Sequence, residues 1–228
     1  MKLIKYNDAV EKIVSYCINN NIKFIYLSGN GGSGKTTLSK MIKNEVEKYG
    51  GCNTIEMDDF VVDTTLRNNA VVKWIDPKTG EEFSGKYTTS FEASYFLQNI
   101  KAIICNLRRG NNYWHWPKKG KTCADSVVEF KADAKLTIVE GISSVFLNKE
   151  DDVLSIFLTC SKEVEIERRI LRARSENEKN RELVEKSYIV RNSQFEANIL
   201  PHKTDADIAM ISLEDFSFQI EKDKKNIF

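Results

Sequence analysis

The sequence contains little of what several protein classes depend on. Two histidines in 228 residues argue against a histidine-rich metal centre. The five cysteines are scattered and form no C-x-x-C pair, which indicates reduced thiols in a cytoplasmic protein rather than a disulfide framework or a zinc site. A formal net charge of +1 lacks the basic excess that is typical of nucleic-acid-binding proteins.

Long apolar runs are also absent. No window reaches the roughly 20 apolar residues that a membrane-spanning helix needs. The first residues, MKLIKYNDAVEKIV, have neither an apolar core nor a small-residue cleavage site, so we expect no signal peptide. Apolar residues nevertheless make up 41% of the chain, which is enough for a sizeable core. We therefore expect a protein that contacts neither a membrane nor a nucleic acid.

Hydrophobic periodicity predicts an alternation of strands and helices. Short apolar or β-branched runs indicate strands at 23–28, 53–58, 135–139, 154–160 and 206–211. Helical patterns cover 7–20, the stretch from Lys35 to the glycine pair Gly50–Gly51, 91–109, 161–175 and 180–198. This alternation is typical of a mostly parallel sheet with right-handed crossovers.

Two segments do not fit this alternation. Residues 61–90 are polar and carry turn signals at Pro77 and Gly80, and residues 110–130 concentrate aromatic residues and lysines. We interpret both as insertions or β-hairpin material over the end of the sheet where ligands bind. Arg67, in the first segment, is a candidate to contact an anionic or polar substrate, although an ordinary surface arginine is the simpler interpretation.

The clearest motif is GNGGSGKT, Gly29 to Thr36, between a predicted strand and a predicted helix. In that context the pattern G-x-x-x-x-G-K-[ST] is typical of a loop that binds nucleotide phosphates. Its backbone N–H groups can surround phosphate oxygens, Lys35 can reach the outer phosphates, and the Thr36 hydroxyl can bind magnesium. The predicted ATP-binding residues of the loop are Gly29, Asn30, Gly31, Gly32, Ser33, Gly34, Lys35, Thr36 and Thr37.

Two carboxylates follow other predicted strands. Asp58 ends the second strand, where a transferase needs a group that accepts the proton of the acceptor hydroxyl; a turn or helix-cap aspartate is the alternative. Glu140 ends the strand LTIVE and can hold magnesium, or a magnesium-bound water, opposite Thr36. The alternative for Glu140 is a solvent-exposed residue at a strand end.

Five blocks follow one another in the chain: GGSGKTT, MDDF, IVEGI, IERRILRARS and ILPHKTDADIAMI. Their order and spacing, over about residues 22–211, resemble the uridine kinase and phosphoribulokinase family of P-loop kinases. The resemblance implies an α/β fold, the three-layer α/β/α P-loop NTPase fold with a mostly parallel sheet, a helical lid and a small β-hairpin-like insertion over the acceptor site. It also implies a single kinase domain, residues 1–228, with the lid at about 165–185.

The resemblance further implies roles on the ATP side. Asp58 matches the general base, and Thr36 and Glu140 match the magnesium-linked positions. Lys35 matches the lysine that binds the ATP phosphates. The block PHKTDAD, with His202 and Lys203, matches a segment near the adenine, which makes Lys203 an ATP-binding candidate.

The arginine-rich stretch RRILRAR matches the lid that closes over the phosphates in this family. It supplies Arg168, Arg169, Arg172 and Arg174, of which Arg169 and Arg172 fall at the functional positions. Arginine suits this role because it offers fixed donors to phosphate oxygens. A solvated helix face with i, i+4 ion pairs is the alternative.

The chain departs from uridine kinases on the acceptor side. The aspartate–histidine pair of their ribose-binding block becomes Thr88–Thr89. Glu92 is the candidate for a second acidic position; a cap partner at a helix start is the alternative. The stretch WIDPKTG, with Trp74 and Asp76, is another possible counterpart of that block. The R-G-R of the lid becomes NEK, with Lys179 or Arg181 as candidate replacements.

The segment NNYWHWPKK lies where related kinases have acceptor-pocket residues, so Tyr113, His115 and Trp116 are candidate substrate contacts. Strand alternation puts Tyr113 and His115 on one face and Trp116 on the other, and the sequence leaves open which face meets the ligand.

These features predict a kinase that uses ATP and Mg²⁺ to phosphorylate a hydroxyl of a small metabolite, with a nucleoside or nucleoside-like acceptor as the first hypothesis. Nicotinamide riboside, pantothenate or a sugar are alternative acceptors. A P-loop NTPase module without kinase activity is the alternative from another class. A homo-oligomer is compatible with the family.

Overall fold

The computed structural model describes residues 2–117, 127–172, 180–215 and 217–228. The strands are β1 (Lys2–Lys5), β2 (Phe24–Gly29), β3 (Cys52–Glu56), β4 (Val71–Ile75), β5 (Glu82–Lys86), β6 (Tyr113–His115), β7 (Val128–Phe130), β8 (Leu136–Glu140), β9 (Val153–Thr159), β10 (Ile208–Ser212) and β11 (Ser217–Asp223). The α-helices are α1 (Tyr6–Asn19), α2 (Lys35–Val46), α3 (Thr64–Asn69), α4 (Leu97–Arg108), α5 (Lys162–Leu171) and α6 (Arg181–Asn198).

The central sheet has seven strands in the order β1-β11-β10-β9-β2-β8-β3. Five adjacent strands were predicted from the sequence and run parallel to one another: β3, β8, β2, β9 and β10. Strand β11 is antiparallel to both β10 and β1. Because β2 lies among the parallel strands, its carboxyl end delivers the phosphate-loop motif to the middle of the sheet edge where ligands bind.

Helices cover both faces of this sheet. On one face, α1 and α2 pack through residues such as Ile13 and Ile42 into a cluster that includes Ile25 and Leu154. On the other face, α4 packs through Ile100 and neighbouring residues onto a second cluster. The mostly parallel sheet with flanking helices confirms the predicted α/β fold of P-loop type.

Some boundaries differ from the sequence predictions. Helix α4 begins at Leu97 rather than at residue 91, because residues 92–94 form a 3₁₀ turn and Tyr95 pairs with Val61 in an isolated β-bridge. Strands β1 and β11 were not predicted. They lie at the antiparallel edge, where polar side chains interrupt the apolar pattern.

The two irregular segments each contribute a pair of antiparallel strands. Strands β4 and β5 form one two-stranded sheet within residues 61–90, and β6 pairs with β7 across residues 118–126, which lie outside the described residues. Part of the predicted lid, with Arg174 and Lys179, also lies outside them. None of the described helices is both long and apolar enough to cross a membrane.

Candidate active site

The predicted phosphate loop connects the end of β2 to the start of α2. Gly29 closes the strand at φ +136°, and a Cβ there would lie 1.7 Å from the carbonyl oxygen of Leu158 on β9. Gly34 adopts the left-handed conformation at φ +90° directly before α2. Only glycine fits these two positions without strain, so the local sequence fixes the turn that aims the loop amides at a ligand.

Lys35 and Thr36 stand at the first turn of α2. The Lys35 ammonium donates hydrogen bonds to the loop carbonyls of Gly29 (2.9 Å) and Asn30 (2.7 Å). The Thr36 hydroxyl donates to both carboxylate oxygens of Glu140, at 3.1 and 3.3 Å. The two residues predicted to serve magnesium are therefore neighbours in the fold, and their metal-binding role stays a prediction.

Burial perturbs the charged groups around this pair. Glu140 is 7% exposed, and this burial raises the pKa of its carboxyl, against the opposing effects of Lys35 and the Thr36 hydroxyl. Burial likewise lowers the pKa of Lys35, while Glu140 and Asp58 act in the opposite direction. A cluster of opposite charges with such shifts, in a cleft, is typical of a functional site.

Asp58 reaches the same cleft from the neighbouring strand. It lies in the 3₁₀ turn Met57–Phe60 that follows β3, and Glu56 at the end of β3 is in register with Glu140 on β8. A cleft of about 230 Å³, here called the loop cleft, opens between these strand ends. The predicted site residues that line it are Asn30, Gly31, Gly32, Lys35, Thr36, Asp58, Glu140, Arg169 and Arg172.

Helix α5 lies across the phosphate loop, and two neighbouring arginines on it have different surroundings. Arg168 donates to the carbonyls of Gly32 (2.8 Å) and Leu213 (2.7 Å) and to the Ser212 hydroxyl (2.9 Å), which ties the helix to the loop and to the end of β10. Arg169 instead lines the loop cleft, so the structure separates a bracing arginine from one that faces the ligand space.

Glu165 is the partner of Arg169 in this cleft. Its carboxylate accepts a 2.7 Å hydrogen bond from the Asn30 side chain and forms a 2.5 Å ion pair with Arg169. Burial raises the pKa of Glu165, and Arg169 opposes this effect. Arg169 was a predicted site residue, whereas the ion-pair spacing of this helix is typical of a solvated face, and Glu165 was therefore not predicted to line the cleft; it is buried.

Several predicted residues lie away from the loop cleft. Lys203 pairs with Glu221 of β11 at 2.6 Å, and Glu92 is exposed in its 3₁₀ turn. His115 stacks on Phe60, with ring centroids 4.4 Å apart. Tyr113 also packs towards the core, whereas Trp116 is 64% exposed. Roles for these residues in binding ATP or the acceptor stay predictions.

A second cavity adjoins the loop cleft and is called here the hairpin cavity. It encloses about 660 Å³ between the β4–β5 hairpin and α6. Arg67, Trp74, Asp76, Phe83, Lys86 and Tyr87 line it on the hairpin side. Thr88, Thr89 and Arg191 line both cavities and mark their junction.

Arg191 is the junction residue that sequence reasoning missed. A signal was present, because Val184, Tyr188, Arg191 and Phe195 follow one another at helical spacing on one face of α6. Val184 and Phe195 are buried on this face, so an arginine among them interrupts an otherwise apolar stripe. Such an interruption is an indication that the side chain faces a cavity rather than a core.

Comparison with known proteins identifies the family. The sequence profile of the phosphoribulokinase/uridine kinase family matches residues 24–217. The chain belongs to this family. Its members are kinases, so the protein is an ATP-dependent kinase of a small molecule. No curated protein sequence matches the chain at a significant level.

Solved structures share the fold at low sequence identity. D-glycerate 3-kinase from Cryptococcus neoformans var. grubii superposes with a TM-score of 0.57 at 11% identity, covering 90% of this chain and 94% of that one. Phosphoribulokinase from Rhodobacter spheroides gives 0.56 at 16%, covering 90% and 73%. A possible uridine kinase from Bacillus stearothermophilus gives 0.52 at 14%, covering 89% and 97%. The kinase's substrate does not follow from similarities at this level.

Proposed function

We propose that this kinase transfers the γ-phosphoryl group of ATP to a hydroxyl of a nucleoside or nucleoside-like metabolite. The observation that carries the proposal is the loop cleft, where Asp58 faces the phosphate-loop residues Lys35 and Thr36. Phosphoryl transfer needs a carboxylate beside the acceptor hydroxyl and cations beside the phosphates. The cleft offers both at the carboxyl ends of neighbouring strands.

The residues at the Thr36–Glu140 pair fit a magnesium ion. A hydroxyl and a carboxylate, within 3.1 Å of each other, are hard oxygen ligands of the kind that Mg²⁺ prefers. The described residues contain no cluster of three or more acidic, histidine or cysteine ligands, which agrees with an ion held by few protein groups and by substrate phosphates. Bound there, Mg²⁺ would neutralise charge on the phosphates.

In this proposal each of the chain's own residues has a separate role in the transfer. Asp58 accepts the proton of the acceptor hydroxyl while that oxygen attacks phosphorus. Lys35 leaves the loop carbonyls and binds phosphate oxygens, and Arg169 and Arg172 stabilise the charge on the phosphoryl group in transit. Glu140 holds the Thr36 hydroxyl and the metal side of the cleft in place.

The hairpin cavity supports a nucleoside-sized acceptor. Its volume of about 660 Å³ falls within the range of roughly 300–1,000 Å³ usual for small-molecule sites. Trp74, Phe83 and Tyr87 give it an aromatic wall on which a flat ring system can stack. Since Thr88 and Thr89 belong to both cavities, an acceptor in the hairpin cavity can present a hydroxyl to the loop cleft.

A panel of acceptors tests the proposal. ADP formation is measured with ATP and Mg²⁺ in the presence of nucleosides, ribosides, vitamins and sugars, for the wild-type protein and for Asp58→Asn. We expect a nucleoside or riboside to stimulate ADP formation, and Asp58→Asn to lower kcat by roughly 100-fold or more without weakening ATP binding. Acceptor-independent turnover that survives Asp58→Asn would refute the assignment of Asp58 as the base.

A further inference from the structure

Three arginines, Arg67, Arg169 and Arg191, gather positive charge at the junction of the two cavities. Arg191 lines both cavities, yet its guanidinium forms no hydrogen bond and no ion pair within residues 2–117, 127–172, 180–215 and 217–228. Partial desolvation and the like charges of Arg169 and Arg67 lower the pKa of Arg191, whereas the Glu165 carboxylate acts in the opposite direction. Arg191 is exposed to solvent, so its guanidinium is accessible to an anion that enters the junction.

The other cations at the junction differ in how far they are already engaged. Arg169 is paired with Glu165 at 2.5 Å. Arg67 uses its Nε to bind the Val62 carbonyl (2.9 Å) and one terminal nitrogen to bind Thr64 (3.2 Å). These contacts leave further donors of the Arg67 guanidinium for a ligand, because this group carries five N–H bonds.

Among the described residues that line the hairpin cavity, one is a carboxylate, Asp76, and its oxygens already accept hydrogen bonds from the protein. Its oxygens accept hydrogen bonds from the backbone N–H groups of Lys78 (2.8 Å) and Thr79 (3.1 Å) and from the Ser193 hydroxyl (3.1 Å). Lys86 adds another positive charge to the lining. The cavity as a whole therefore favours a negatively charged ligand.

The walls of the cavity are also fixed relative to each other. Gln194 of α6, which is fully buried, donates to the Lys86 carbonyl (2.9 Å) and accepts from the hydroxyl (2.6 Å) and the N–H (3.1 Å) of Thr88. The Trp74 indole donates to Ser193 of the same helix at 2.8 Å. The two arginines are thus presented by a preformed frame, which is what selective binding requires.

We infer that the acceptor carries an anionic group, a carboxylate or a phosphate, and that Arg67 and Arg191 bind this group in the hairpin cavity while the reacting hydroxyl faces Asp58. This inference rests on the proposed function and specifies the acceptor class. Arg191 is then a specificity-determining residue that contacts the substrate but takes no part in the transfer of the phosphoryl group.

Matched acceptor pairs test this inference by kinetics. The pairs differ in one charged group: orotidine and uridine, nicotinate riboside and nicotinamide riboside, pantothenate and pantothenol, ribulose 5-phosphate and ribulose. We expect the member with the anionic group in the best pair to have the higher kcat/KM by roughly 10- to 100-fold, the range of a charge-assisted hydrogen bond. Arg191→Gln should remove that preference mainly through KM, and the KM for ATP should not change.

A binding measurement decides the question independently of turnover. The protein is saturated with a non-hydrolysable ATP analogue and Mg²⁺, so that the phosphate loop is filled, and is titrated with inorganic phosphate in a calorimeter. We expect the wild-type protein to bind phosphate, and Arg191→Gln and Arg67→Gln each to weaken that binding by roughly tenfold or more. Asp58→Asn should retain it, which separates this inference from the proposed reaction.

Lys186→Gln provides the matched control, because it removes a positive charge from the exposed face of the same helix, where Lys186 pairs with Glu182. This variant should behave as the wild type in both assays. The inference is overturned if the nucleotide-saturated protein binds no phosphate, or if binding is equally strong in the two arginine variants. A consistent kinetic preference for the acceptors that lack the anionic group would overturn it as well, even with the kinase reaction intact.

Discussion

The close approach of Gly29 to β9 leads to a quantitative prediction about the phosphate loop. An alanine Cβ at Gly29 would lie 1.7 Å from the Leu158 carbonyl oxygen, whereas ordinary contact begins at 3.4 Å. To relieve the clash, β2 must separate from β9 at their last paired residues, Ser28–Phe157 and Gly29–Leu158. Because the clashing atom is backbone rather than the end of a flexible side chain, no rotamer change can relieve it.

The expected cost of Gly29→Ala has three parts. Overpacking costs about 1–3 kcal/mol, the left-handed conformation at φ +136° adds about 1–2 kcal/mol for a residue with a Cβ, and a weakened strand pairing adds about 1 kcal/mol per hydrogen bond. We therefore expect Gly29→Ala to lower the free energy of unfolding by about 3–6 kcal/mol, a large share of the roughly 5–15 kcal/mol of a typical domain.

Gly31→Ala, in the same loop, is the control for this prediction. A Cβ at Gly31 would meet only the ends of two flexible side chains, those of Arg169 and Glu165, both at 2.8 Å. Gly31 lies outside the left-handed region, so we expect a loss within about 1 kcal/mol. Urea denaturation of both variants, free of nucleotide, measures the difference. If Gly29→Ala were as stable as Gly31→Ala, the argument from the β2–β9 approach would be wrong.

Three other substitutions test how the site is supported. Arg168→Gln should lower the free energy of unfolding by about 2–3 kcal/mol, measured in urea, because it removes three charge-assisted hydrogen bonds that hold the phosphate loop and β10. Gln194→Leu should raise the KM of the acceptor roughly tenfold and leave the KM for ATP unchanged. The reason is that it removes the hydrogen bonds that hold Lys86 and Thr88, the segment between the two cavities, to α6. An equal rise of both KM values would contradict this prediction. Burial alone would raise the pKa of Asp207, but the contacts with Lys149 and Ser155 outweigh burial, and the net effect lowers this pKa. The ionised carboxylate therefore stabilises the folded state fully when the pH is above the pKa that Asp207 has in the unfolded chain. Asp207→Asn should therefore lower the free energy of unfolding by about 2 kcal/mol at neutral pH. This difference between variant and wild type should vanish as the pH falls through the pKa of Asp207 in the folded state. Urea unfolding curves recorded at several acidic pH values measure it.

The parallel centre of the fold could be predicted from the sequence because strands that are buried on both faces appear as continuous runs of apolar residues. Each of β2, β8 and β10 reads as an uninterrupted or nearly uninterrupted buried run. The edge strands β1 and β11 could not be predicted, since β1 has only one buried residue and β11 ends in charged residues. Their pairing is decided by contacts between the two ends of the chain, which no local pattern contains.

The positions of the phosphate loop and of Glu140 could be predicted for a similar reason. The phosphate loop places its glycines, Lys35 and Thr36 within one short stretch, and their roles depend on the backbone of that stretch. Glu140 could be predicted because a parallel strand must end at the same edge of the sheet. By contrast, Arg191 lies 155 residues after Thr36, and only the packing of α6 brings it to the cleft.

The acceptor side is harder to predict because it is assembled from distant segments by polar contacts. The hairpin meets α6 through the Trp74–Ser193 hydrogen bond, the ion pair of Lys78 with Glu196 at 2.7 Å, and the bonds of Gln194. Helix α6 in turn packs against α5, which carries the arginines that face the phosphate loop. The hairpin, α6 and α5 are thus connected in series. Acceptor recognition depends on the contacts between the hairpin and α6, whereas Lys35 and Thr36 belong to the phosphate loop itself, so we expect a substitution that breaks a hairpin–α6 contact to change the KM of the acceptor and not that of ATP.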